Sequence, residues 1–219
     1  MRGIIHHLSR WRYAGVPAQW IIFVFAAVGA EPQPLAHWVQ LTDGSLLVGR
    51  IENIDGEQLH IDLRLEKETV VAVPRRCVVS IIVIPPVDPA LAEKLLSSLE
   101  DETADTIRLV DGKTLSGRLR NFSKGVFRFD LSFGGFDELL LESQPIPWRR
   151  VRAIYLAFNE KIQKNGAGDT VFFLKNGSKI VSTGCENREN GTALVRNSCF
   201  VALELPLSSL ISRYAEPLE

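Results

Sequence analysis

The sequence predicts an all-β chain built from three tandem small five-stranded barrels. Three observations carry that expectation. First, an apolar stretch leads into the same turn three times: Leu41-Thr42-Asp43-Gly44, Leu109-Val110-Asp111-Gly112 and Leu174-Lys175-Asn176-Gly177. Second, an apolar-proline pair follows each turn glycine after 30, 35 and 29 residues, at Val73-Pro74, Ile146-Pro147 and Leu205-Pro206. Third, the runs between them alternate apolar and polar residues with the period of a half-buried strand. A repeat of about 65 residues is long enough for a complete small unit and too long for a bare hairpin.

The first repeat is placed at residues 37–86. Its strands are expected at Trp38 to Leu41, Leu46 to Ile54, Gln58 to Leu63, Thr69 to Val73 and Ser80 to Ile84. Glycine in Asp43-Gly44 and Asp55-Gly56 supplies the positive φ that tight hairpins require. The second repeat, residues 106–158, contains the alternating run Val126 to Leu131 and a glycine loop, Phe133-Gly134-Gly135-Phe136. The third, residues 170–216, has a second strong hairpin signal at Asn190-Gly191 and is the most diverged.

Two linkers separate the repeats. Residues 87–105 predict a short helix, because Asp88-Pro89 suits a helix start and Leu91, Leu95, Leu96 and Leu99 share one face. Residues 159–169 read as a flexible linker.

The first 30 residues read as a signal peptide. Arg2, Arg10 and Arg12 precede the apolar run Trp20 to Ala30, small residues close it, and polar, proline-rich Glu31-Pro32-Gln33-Pro34 follows. That run is shorter than the roughly 20 residues a spanning helix needs, and no later apolar run is long enough. The expected location is extracytoplasmic, periplasmic or secreted, with no stable transmembrane span after cleavage. The formal charge is −1, and without those three arginines it becomes −4. A mildly acidic product exerts no general pull on nucleic acid or anionic membranes.

The pattern Asp43-Gly44, Leu47, Gly49, Ile51, Ile54-Asp55 resembles the first sequence motif of the Sm-like family, and Asp111-Gly112, Leu115, Gly117, Leu119 and Phe122 follow the same frame. That resemblance implies small, strongly bent five-stranded barrels, with glycine at 49 and 117 permitting the bend. In the third repeat Ser182 occupies this position. The family's RNA-binding residues are not matched. Asp55-Gly56-Glu57-Gln58-Leu59 lacks the loop asparagine, and the last strands are preceded by Arg75-Arg76 and Arg149-Arg150 instead of an Arg-Gly pair. The resemblance therefore implies a fold and not RNA binding.

The residues offer little catalytic chemistry. After signal removal only His37 and His60 remain, neither in a zinc-type spacing, and there is no Cys-x-x-Cys, nucleophile elbow or phosphate loop. No enzyme activity, cofactor or metal is expected. The sharpest polar feature is Pro147-Trp148-Arg149-Arg150-Val151-Arg152, echoed by Pro74-Arg75-Arg76. Arginines beside an indole can hold carboxylate, sulfate or phosphate groups; the competing reading is a solvated turn whose Trp148 caps the barrel. Export permits disulfides, and Cys185 and Cys199 form a candidate pair, with free thiols as the other reading; Cys77 makes the count odd. Asn121, Asn176 and Asn190 match the glycosylation acceptor pattern. The resulting expectation is a non-catalytic exported interaction or scaffold protein with a protein partner. The alternative is binding of an anionic polymer, nucleic acid or acidic polysaccharide, through the two arginine turns.

Overall fold

A computed structural model of the chain describes residues 36–65, 68–86, 91, 94–95, 104–131, 143–157, 169–200 and 202–215. The signal segment, the Phe133 to Phe136 loop and residues 158–168 lie outside these. Of the expected linker helix, Leu91, Lys94 and Leu95 are described and are helical.

The described chain is all-β and every strand pairing is antiparallel. Repeat one comprises β1 (His37–Leu41), β2 (Leu46–Ile54), β3 (Gln58–Asp62), β4 (Val70–Pro74) and β5 (Val78–Ile82). Repeat two comprises β6 (Asp105–Leu109), β7 (Thr114–Ser123), β8 (Val126–Leu131), β9 (Gln144–Pro147) and β10 (Val151–Tyr155). Repeat three comprises β11 (Thr170–Leu174), β12 (Lys179–Ser182), β13 (Gly184–Asn187), β14 (Thr192–Arg196), β15 (Leu203–Pro206) and β16 (Leu210–Ala215). In each, the first strand lies between the second and the last. The last strand of repeat one begins at Val78, not at Ser80. The proline there starts a single 3-10 turn, Arg75–Cys77, that leads straight into β5.

The turns are built alike. Asp43, Asp111 and Asn176 each accept the amide two residues on through Oδ1, and Gly44, Gly112 and Gly177 have φ between 80° and 89°. Further on, β2 passes so close to β3 that a Cβ on Gly49 would collide with the Asp62 carbonyl oxygen; Gly117 meets Asp130 in the same way. A β-bulge follows at Glu52 and again at Arg120. The amide beside each bulge is satisfied from the first strand: Ile51 N–H donates to His37 Nδ1 (3.0 Å) and Leu119 N–H to Asp105 Oδ2 (2.7 Å). In repeat three the second strand breaks at Thr183, and the Ser182 hydroxyl accepts the Gly184 N–H.

The repeats do not stand apart. One buried hydrophobic cluster draws on all three, from Leu41 and Ile61 through Phe127 and Phe129 to Phe172 and Leu205. Small units bury too little alone and stabilise one another through such shared cores. Strands also pair across repeats. β5 pairs with β10 so that Ile81 faces Ile154, its own counterpart four residues past the proline-led turn. Ile54 of β2 faces its counterpart Phe122 of β7. Repeats one and two are thus related by a pseudo-two-fold axis through both contacts. A second such axis relates repeats one and three, where Leu46 faces its counterpart Lys179. There the bonds are reciprocal: Val48 N–H donates to Ser178 Oγ and Val181 N–H to Ser45 Oγ, both at 2.9 Å. Asn176, within one of the acceptor patterns, is built into this seam and donates to the carbonyls of Val48 and Leu63. The equivalent edge of repeat two, Thr114 to Ser116, pairs with no other repeat among the described residues, and exposed Lys113 stands where Ser45 and Ser178 stand.

Candidate functional site

The arginine set named from the sequence is split by the fold. β5 and β10 are antiparallel, and each is preceded by its turn, so Arg75-Arg76 and Arg149-Arg150 lie at opposite ends of the pair. Along the strand direction the separation is on the order of 25 Å. The turns are also offset by one residue. Arg75 corresponds to Trp148, Arg76 to Arg149 and Cys77 to Arg150.

Trp148 is half-buried and packs against the core, with its indole over Gly125, whose φ is 76°. Its backbone N–H donates to the Gly125 carbonyl. The ring therefore caps the second repeat instead of offering a stacking plane beside its arginines. Arg149, Arg150 and Arg152 are exposed on that side.

The first turn lies in a different setting. Arg75 N–H donates to the Glu57 carbonyl at 2.7 Å, which ties the turn to the β2–β3 hairpin. The side chain then crosses to repeat two and pairs with Asp105 (Nη2 to Oδ2, 2.7 Å). Asp105 is 2% exposed and also accepts the amides of Leu119 and Ala157, so its carboxylate is fully engaged. Burial lowers the Arg75 pKa from its ordinary value; Asp105 opposes that shift, and nearby Arg118 and Arg120 add to it. Arginine remains charged despite such a shift.

Around this pair opens a cleft of about 520 Å³, lined by Gly56, Glu57, Pro74, Arg76, Arg118 and Leu156 together with the pair itself. Asp105 neutralises Arg75. Arg76 and Arg118 are exposed and have no hydrogen-bond or ion-pair partner among the described residues. Arg120, close by, is held by Asp130. Among the described lining residues the cleft therefore presents two exposed guanidinium groups, Arg76 and Arg118, against one exposed carboxylate, Glu57, beside half-buried Pro74.

Sequence reasoning found Arg75 and Arg76 and missed Asp105 and Arg118. Asp105 was assigned to the linker, one residue before the repeat, and Arg118 is one of several outward-facing residues of β7. Nothing local marks either as a neighbour of residue 75. His37, left without a role, is a buried acceptor for the bulge amide, and burial with the nearby Arg50 and Arg64 lowers its pKa to about 4. His60 is half-buried on β3.

Of the two readings for Cys185 and Cys199, a disulfide or free thiols, the structure has free thiols. All three thiols are free. Cys185 is exposed on β13 opposite Val195, whereas Cys199 turns inward against repeat one, so the two leave the β13–β14 hairpin in different directions. Among the described residues no group of three or more His, Cys, Asp or Glu is placed to hold a metal ion. No described helix is long and apolar enough to cross a membrane. No family model, curated protein or solved structure matches the chain.

Proposed function

We propose that the chain is a non-catalytic exported interaction protein built from Sm-like repeats, and that the cleft between the first two repeats receives an acidic group of a protein partner. The observation that carries this reading is the cleft itself. Two exposed guanidinium groups, with no hydrogen-bond or ion-pair partner among the described residues, line the cleft beside a buried ion pair. Arginine forks suit carboxylates. The half-buried Pro74 ring suits an apolar neighbour of such a group in a peptide. Support for the Sm-like assignment is the five-strand unit, with its first strand between the second and the last, and the glycine at the bend of β2 and β7. Support for export is the N-terminal sequence.

Immobilised protein should retain specific proteins from an envelope fraction and release them with salt. The double substitution Arg76→Glu with Arg118→Glu should abolish that retention. Retention indifferent to both salt and the substitutions, or turnover of a substrate in a hydrolase screen, would overturn the reading.

The anionic-polymer reading draws on the exposed Arg149, Arg150 and Arg152. The placement of the two turns at opposite ends of the β5–β10 pair weighs against one continuous track. If it holds, affinity for a polyanion falls steeply with salt, and Arg149→Ala with Arg150→Ala weakens it.

A further inference from the structure

The three residues Asn197, Ser198 and Cys199, which follow β14, lie along the first turn of repeat one. Asn197 Nδ2 donates to Ser45 Oγ (3.2 Å), Ser198 Oγ to Asp43 Oδ2 (3.4 Å), and Cys199 Sγ lies 3.4 Å from Thr42 Oγ1. Thr42 in turn donates its backbone N–H to the carbonyl of Cys77 (2.9 Å). Both cysteines are buried, at 8% and 2% exposure, in the same apolar cluster. Cys199 meets Thr42 from its hydroxyl side and Cys77 meets it from its main-chain side. Two buried cysteines from different repeats, 122 residues apart in the chain, thus flank one threonine within one apolar cluster.

The geometry points to Cys77 and Cys199 as a cross-linking site that joins the first repeat to the third by a disulfide when the protein folds in the presence of a disulfide oxidant. This goes beyond the binding role proposed above and does not depend on it. The chemistry is thiol–disulfide exchange. One cysteine thiolate attacks the oxidant's sulfur, breaks its S–S bond and forms a mixed disulfide. The second thiolate then displaces the remaining half. Together the two cysteines lose two protons and two electrons, and one oxidant disulfide becomes two thiols.

The folded environment sets when this happens. Burial, with Asp43 and Cys77 nearby and despite the Thr42 hydroxyl, pushes the Cys199 thiol up to about 12. A thiol so rarely ionised attacks slowly. Attack is therefore slow in the folded chain, and burial of both residues shields the bond, once formed, from reductant. Cys185 is the exposed thiol and is left over.

The test is to refold the full chain from the reduced, denatured state with oxidised and reduced glutathione, quench with alkylating reagent, and map peptides without reduction. The expected product links the Cys77 and Cys199 peptides and carries an alkylated Cys185. Cys185→Ser should leave the link intact, and Cys77→Ser and Cys199→Ser should each remove it. The urea midpoint of the oxidised protein should exceed that of the reduced protein, and this difference should vanish in Cys77→Ser. A Cys185–Cys199 link, or three alkylated thiols after oxidative refolding, would overturn the assignment. Because Cys185→Ser alters only an exposed residue, it reports the pairing even if the other variants fold poorly.

Discussion

Ile81 lies directly across the sheet from Ile154, the residue that holds the same place in the next repeat. Both are fully buried. A contact of this kind makes the first two repeats symmetric partners instead of successive beads. Ile54 and Phe122 form the second contact on the same axis. Any substitution on the axis meets its own counterpart, so Ile81→Ala should leave a cavity against Ile154 and cost about 3 kcal/mol. Ile154→Ala should cost about as much, and the double variant less than the sum, because the two share one cavity. Denaturant titration of the three variants checks this.

Gly49 and Gly117 are required by backbone proximity and not by turn geometry. Alanine at either would drive a Cβ into a neighbouring carbonyl oxygen. Backbone cannot step aside as a side-chain tip can, so each change should cost about 3 kcal/mol, the upper range for overpacking. Gly56→Ala, where nothing lies within 4 Å, is the control and should be nearly neutral. Thermal melts distinguish the two outcomes.

His37 makes stability depend on pH. Its imidazole accepts the Ile51 N–H and is neutral in the folded state, with its pKa lowered from 6.5 to about 4 by burial first and by Arg50 and Arg64 next. The unfolded chain binds that proton more readily. The contribution is therefore complete above pH 6.5 and is lost as the pH falls toward 4, amounting to about 3 kcal/mol over the window. His37→Asn offers an oxygen acceptor in place of Nδ1 and does not titrate. Urea midpoints measured between pH 7 and pH 4.5 should fall less steeply in that variant.

Arg75 and Asp105 hold repeats one and two together from the side. Arg75→Ala strands a carboxylate that is 2% exposed and should cost about 3 kcal/mol. Asp105→Ala should cost at least as much, since the Leu119 and Ala157 amides lose their acceptor as well. An Arg75→Ala variant as stable as the parent would show that the pair contributes nothing net.

The seam between repeats one and three rests on two serine hydroxyls. Ser45→Ala leaves the Val181 amide without its acceptor, and Ser178→Ala does the same to Val48. Each should cost about 1–3 kcal/mol. Limited proteolysis should then cut residues 158–168 or 183–200 sooner than in the parent.

Much of the architecture was legible because it is local. Asp43-Gly44, Asp111-Gly112 and Asn176-Gly177 announce turns through residue chemistry alone, and the period-2 runs at 58–63 and 126–131 contain β3, which ends one residue earlier at Asp62, and β8. The equivalence of Gly49 and Gly117 was visible as spacing. What could not be read is how the repeats face one another. Whether Arg75 meets Asp105, or Cys199 turns to Thr42 of repeat one, is decided by contacts that join residues far apart in the chain. The grouping of Arg75 with Trp148 failed for that reason. The residues look alike in sequence, and an antiparallel register sends them to opposite ends.

Lys113 marks the open edge of the second repeat. The edge that begins β2 is self-complementary, because Ser45 serves Val181 as Ser178 serves Val48. Such an isologous edge recognises the same edge on another repeat and closes on it. In the second repeat the serine is replaced by an exposed lysine, and the following edge carries no further repeat among the described residues. An ammonium group is expensive to bury against another of its kind, so this edge does not pair with the same edge of a second copy.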